Sequence, residues 1–121
     1  MVITTREVGD VTVIDVEGDI KRSQVVTTTL HQVVKSRLEE GQRNFALNFE
    51  KMDFIDSYGV GEIIASYHSI NSLGGELKLA RISKKLRIVF EITKLIDILE
   101  VTDSIEAALE SFGRGGPAPT S

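Results

Sequence analysis

Hydrophobic and polar positions along the chain change period several times, and each change marks an element. Val2–Val8 and Val11–Glu17 are β-branched runs separated only by the turn dipeptide Gly9-Asp10. Two such runs around two turn residues predict an antiparallel hairpin. After Gly18-Asp19-Ile20-Lys21-Arg22 the spacing becomes helical: Ser23 can serve as the cap, Val26, Leu30, Val33, Val34 and Leu38 recur at three and four residues, and Gly41 provides the stop. Residues 43–49 alternate again, with Phe45, Leu47 and Phe49 on one side, and are short enough for a buried strand.

A second amphipathic helix carries Val60, Ile63, Ile64, Tyr67 and Ile70 and stops at Gly74-Gly75. Residues 77–80 read as a strand, Ser83 as the cap of a short helix with Leu86, Val89 and Phe90, and residues 96–101 as a weaker strand. Asp103 and Glu106 have the spacing of a capping box, opening a last helix through Ala108, Leu109 and Phe112. Residues 1–112 thus form one domain, and residues 113–121, rich in Gly and Pro, are expected to be a disordered tail. The order β-β-α-β-α-β-α-β-α implies an α/β fold with a mixed sheet: after the hairpin every connection passes through a helix. The alternation at Leu77 and Leu79 hints that the two sheet faces are unequally covered.

Composition narrows the chemistry. At 121 residues with 41% hydrophobic content, the chain can bury a core without a metal or disulfide staple. It has no cysteine, which removes thiolate zinc sites, iron–sulfur clusters and cysteine nucleophiles and suits a reducing cytoplasm. Its two histidines, His31 and His68, stand far apart, so a zinc or triad enzyme is not expected, and neither histidine is assigned a role. A net charge of −4 and a pI near 5.2 argue against a nucleic-acid binder. The N-terminal residues lack a secretory pattern, and no apolar run approaches a membrane span of ~20 residues. The expectation is a soluble, cytoplasmic protein with no cofactor, no metal and no membrane insertion.

In alternating α/β sheets functional groups gather where strands end and helices begin. Residues 53–61 are the candidate, with Asp53, Asp56 and Ser57 ahead of the second helix. Free backbone N–H groups and the positive helix end favour a negative group on Ser57. Equally, Asp and Ser are preferred helix caps, so Asp56-Ser57 would also be explained by starting the helix and nothing more. Three enzyme readings fit the residues poorly. A nucleophile elbow needs glycine two before the serine, where Ile55 stands. Gly59-Val60-Gly61 lacks the third glycine of a dinucleotide fingerprint, its place taken by Ile64. Asp53 and Asp56 read as solvated loop acids, unlike a glycosidase pair. The basic group Arg81, Lys84, Lys85 and Arg87 reads as a solvated face, with contact to an acidic partner the minority reading, although Lys84 and Lys85 stand at a helix start where the dipole disfavours them.

Residues 47–61, Leu-Asn-Phe-Glu-Lys-Met-Asp-Phe-Ile-Asp-Ser-Tyr-Gly-Val-Gly, resemble the signature of the STAS domain, specifically of bacterial anti-sigma factor antagonists. The resemblance extends over roughly residues 2–112, through Gly74-Gly75-Glu76-Leu77, Ile82-Ser83, Val89-Phe90 and residues 95–101. It implies a phospho-switch with no catalysis of its own. Ser57 would be phosphorylated by an anti-sigma factor that is also an ATP-dependent serine kinase, and a phosphatase would remove the mark. The unphosphorylated form would bind the anti-sigma factor and free the sigma factor, through a surface of Asp53, Asp56, Ser57, Tyr58, Gly59 and Lys21.

Two positions depart from the family pattern. Lys21 stands where an acid often lies near the phosphosite, which implies slow phosphoryl transfer and a charge pair with the phosphate afterwards. Tyr58 is larger than the Ser, Thr or Ala common after the phosphoserine. These departures keep open a non-phosphorylated STAS scaffold subunit of a stressosome-like or lipid-transport complex. A phosphoaspartate receiver fits poorly, because the chain opens on a hairpin and its last strand is flanked only by Glu100 and Asp103.

Overall fold

The computed structural model describes residues 2–17, 29–52 and 54–112. Strands β1 (Val2–Val8) and β2 (Val11–Glu17) form the expected hairpin, with Val8 opposite Val11 and Gly9 at φ +63 in the turn. Strands β3 (Asn44–Lys51), β4 (Glu76–Ala80) and β5 (Glu100–Thr102) are each added in parallel, and the sheet order is β1-β2-β3-β4-β5. Helices α1 (Leu30–Glu39), α2 (Ser57–Ser72) and α3 (Lys84–Ile92) make the crossovers, and α4 (Ile105–Ser111) follows β5.

Alternation along the strands divides the interior in two. Ile14, Phe45, Leu47, Phe49, Leu77 and Leu79 meet Leu30, Val34 and Leu38 of α1, Val60, Ile63 and Ile70 of α2, and Leu86 and Phe90 of α3. The opposite face is thinner. There Val11, Val13, Ala46 and Ala80 receive Ile105 and Ala108 of α4, with Leu109 and Phe112 at the rim. The large first core is the main source of stability, because each Leu, Ile or Phe side chain taken fully out of water contributes about 1.5–3 kcal/mol. Among the described residues, three helices on one face and one on the other give the unequal coverage that the alternation of β4 suggested.

Three boundaries differ from the sequence reading. Ser23 and Val26 lie outside the described residues, and the helix carrying Leu30, Val34 and Leu38 opens at Thr29. Thr29 is extended, its hydroxyl accepts the Gln32 N–H at 3.1 Å, and the Gln32 side chain accepts the Thr29 N–H at 2.9 Å, a complete capping box. Residues 96–101 are not one strand. Lys94 takes a left-handed conformation (φ +66), Leu95–Asp97 form a 3-10 turn that buries Leu95, and only Glu100–Thr102 reach β4. The last helix is capped by Ser104, whose hydroxyl accepts the Ala107 N–H at 3.0 Å, instead of by Asp103. The expected tail, residues 113–121, lies outside the described residues.

Both early helix stops are as expected. Gly41 N–H bonds to Leu38 O and Gln42 N–H to Arg37 O; Gly74 N–H bonds to Asn71 O and Gly75 N–H to Ile70 O. These paired bonds satisfy the last carbonyls of α1 and α2. Gly75 is further constrained, since a Cβ there would lie 2.2 Å from the Arg43 carbonyl oxygen.

Candidate functional site

The ends of β3, β4 and β5 and the starts of α2, α3 and α4 lie at one end of the sheet, because the strands run parallel. The candidate segment sits there. Met52 and Ile55 are buried in the main core and anchor the connection between β3 and α2 on both sides of residue 53. Phe54 between them is half-exposed.

Asp56 is the N-cap of α2, extended at φ −103 and ψ −173, and its carboxylate accepts the Gly59 N–H at 3.1 Å. Ser57 is the first helical residue and is exposed, whereas Gly59 and Val60 are buried. The capping duty that the sequence left between two residues therefore belongs to Asp56, and Ser57 stands exposed at the positive end of a helix of 16 residues. Tyr58 is partly buried and packs against the main core, so its bulk is directed largely inward. Asp53 and Lys21 lie outside the described residues. Of the sequence-derived site, the structure thus brings together Asp56, Ser57, Tyr58 and Gly59.

Three contacts of the elements around the site were not legible in the sequence. Glu62, part of α2, accepts the backbone N–H of His31 at 3.0 Å, so a carboxylate from α2 satisfies the first turn of α1. The His31 ring extends the same join through a 2.8 Å hydrogen bond with the Ser69 hydroxyl. Arg81, left-handed at φ +62, ion-pairs with Glu50 at 3.2 Å beside a groove of about 260 Å³ lined by Glu50, Arg81, Ile82, Ser83 and Asp103. The register that places Asn48 opposite Ala80 brings Glu50 and Arg81 alongside each other, and spacing in the chain gives no sign of it.

At the open edge of this end, Asp15 is held below the usual carboxylate range. Burial pushes it up, but hydrogen bonds from Arg6 and Asn48 and the positive charges of Arg6 and Lys51 outweigh that effect. Among the described residues no cluster of three or more His, Asp or Glu side chains could hold a metal, and no helix is long and apolar enough to cross a membrane.

The family model of the STAS domain matches residues 2–108. The chain belongs to the STAS domain family. Within the family it is 29% identical over 77 residues to the anti-sigma-B factor antagonist of Staphylococcus aureus, a match covering 64% of this chain and 71% of that protein. The crystal structure of a candidate anti-sigma factor antagonist from Thermotoga maritima superposes with a TM-score of 0.76 at 26% identity, covering 93% of this chain and 95% of that one. The anti-sigma factor antagonist SpoIIAA shares the fold: its unphosphorylated form gives a TM-score of 0.71 at 22% identity, over 94% of this chain and 99% of that one. The phosphorylated form of SpoIIAA, a Bacillus cell fate determinant, gives 0.65 at 21% identity, over 90% and 97% of the two chains. The observed order of elements is thus that of a STAS domain, as the sequence implied.

Proposed function

We propose that this STAS domain is an anti-sigma factor antagonist that binds an anti-sigma factor while Ser57 carries a free hydroxyl and loses that affinity when Ser57 is phosphorylated. One observation carries the reading: Asp56 caps α2, which leaves the exposed Ser57 hydroxyl without a capping duty at a helix start. The relatives named as anti-sigma factor antagonists support it.

In the proposed reaction the Ser57 oxygen attacks the γ-phosphorus of ATP held by the partner kinase, its proton passes to a base on that partner, and ADP leaves. The antagonist supplies the acceptor and no catalytic group. A phosphatase then hydrolyses the phosphoserine. The added charge of about −1.5 to −2 is tolerated by the start of α2 within the domain. Across a partner interface it meets the same neighbourhood as Asp56, where each close like-charge pair costs on the order of 1 kcal/mol.

Incubation with an anti-sigma factor kinase and ATP, followed by phosphopeptide mapping, tests the acceptor. Phosphate on Ser57 is expected; phosphate reproducibly on Ser66, Ser69 or Ser104 with Ser57 untouched would overturn the assignment. Calorimetry against the same partner tests the switch: Ser57→Asp is expected to bind about tenfold or more weakly than Ser57→Ala, with both variants folded. Equal affinities would remove the Ser57 surface from the interface. Stable partner binding with no phosphate transferred to the chain, even when the partner is supplied with ATP, would instead assign the chain to the scaffold members of its family.

A further inference from the structure

The α3 helix combines two features that a solvated helix face does not need. Its inward side is ordinary, with Leu86 and Phe90 buried and Phe49 packed on Phe90 at 6.1 Å between ring centres. Its outward side carries Ile88 at 56% and Ile92 at 74% exposure, one turn apart on the same ridge. Among the described residues, Ile92 is the most exposed of the large hydrophobic side chains. Around this ridge the charge is one-sided. Residues 81–94 hold Arg81, Lys84, Lys85, Arg87 and Lys94 against the single acid Glu91, in a chain whose net charge is −4. Lys84, Lys85 and Arg87 are exposed, and Lys84 and Lys85 occupy the first turn, which has no acidic residue and where the helix dipole disfavours cations.

We propose that the outward face of α3, the Ile88–Ile92 ridge flanked by Lys84, Lys85 and Arg87, is a docking surface for an acidic amphipathic helix of a partner protein, distinct from the Ser57 surface. Charge complementarity selects the occupant. Glutamates or aspartates flanking an apolar stripe would pair with the lysines and arginine while the stripe covers the two isoleucines. An anionic bilayer offers the same charge, but the rest of this acidic chain would be repelled by it, and two isoleucines on a nine-residue helix bury little apolar area in lipid.

The test is a titration of the ¹⁵N-labelled full chain, followed by amide chemical shifts, with a synthetic helix of about four turns whose leucine stripe is flanked by glutamates. Saturable shifts centred on residues 84–94 are expected, with affinity falling as salt rises. A control peptide with glutamines in place of the glutamates, and the variant Ile88→Ser/Ile92→Ser, should each bind about tenfold or more weakly. That variant alters exposed side chains only, and its melting temperature checks that it is folded. Ser57→Asp should bind the peptide as the unaltered chain does, so this surface stands or falls separately from the phosphoserine reading. Shifts centred elsewhere, no saturable binding, or equal affinity for the glutamine peptide would overturn the proposal. So would self-association abolished by Ile88→Ser/Ile92→Ser, or preferential sedimentation with phosphatidylcholine vesicles containing a quarter phosphatidylglycerol that depends on the same isoleucines.

Discussion

Asp56 and Ser57 are neighbours in the chain, and the cap of α2 falls to Asp56. Asp56→Ala removes the acceptor of the Gly59 N–H and is expected to lower the unfolding free energy by about 1 kcal/mol. Ser57→Ala should leave it unchanged within about 0.5 kcal/mol. Urea denaturation of the two variants checks the division, and equal losses would return Ser57 to a structural role. At this scale the sequence offered two caps and did not choose between them. The pair Asp56-Ser57 offers two side chains suited to one cap, and the choice is made by a backbone angle at Asp56 that composition does not encode. The contacts of Glu62 and Arg81 were illegible for a different reason. Their partners, the His31 N–H and Glu50, lie 31 positions away, and only helix packing and strand register bring them close.

Helix ends show where local signals decide and where tertiary ones override them. Glycine stops were legible because their function is local: Gly74 has φ +81 and donates its N–H to Asn71 O. Gly75 is a different case, with an ordinary demand on its backbone but no room for a side chain, since a Cβ would meet Arg43 O at 2.2 Å and Ile70 Cγ2 at 2.8 Å. Gly74→Ala should therefore cost about 1–2 kcal/mol from backbone strain, and Gly75→Ala more, because the corner between α2 and β4 must move. Thermal melts that rank the two the other way would show that the corner yields easily. At the last helix, Ser104→Ala is expected to destabilise by about 1 kcal/mol and Asp103→Ala by much less, which hydrogen–deuterium exchange across α4 would report. The capping-box spacing misled because Asp103 and Ser104 are both good caps, and it is the Ser104 hydroxyl that accepts an N–H of α4. The weak strand over residues 96–101 is realised only at its end, in β5: Leu95 and Leu99 are buried in the turn ahead of it, and a short apolar run does not separate turn from strand.

For the molecule as a whole, the sheet is tied across its first three strands by Arg6, Asp15 and Asn48, with Arg6 Nε at 2.9 Å and Asn48 Nδ2 at 2.7 Å from the Asp15 carboxylate. Because the folded pKa of Asp15 lies below its unfolded value, its contribution is present above the unfolded value, about 3.9, and is lost as pH falls through the folded one. The stability difference between the unaltered chain and Asp15→Asn should accordingly be largest near neutrality and shrink below about pH 4. A difference that stays constant down to pH 2 would show that the carboxylate charge is not what holds the strands. The fold class was legible at this scale because hairpin, crossovers and stops all agreed on one order of elements, and agreement across levels is what specifies a fold.

The order β1-β2-β3-β4-β5 is also the order of synthesis. Val11 pairs with Asn44 and Asn44 with Glu76, so each parallel strand docks on an edge already made by the segment before it. Among the described strands none has to be inserted between two others. A chain emerging N-terminus first from the ribosome can therefore grow its sheet outward one edge at a time, with loop closures that stay short and never reopen finished pairing. When Ser57 emerges, β1, β2, β3 and α1, the partner of α2 in the helical layer, have already been synthesised. The residue proposed to carry the switch is thus placed on a scaffold made before it, while the α3 ridge is completed afterwards.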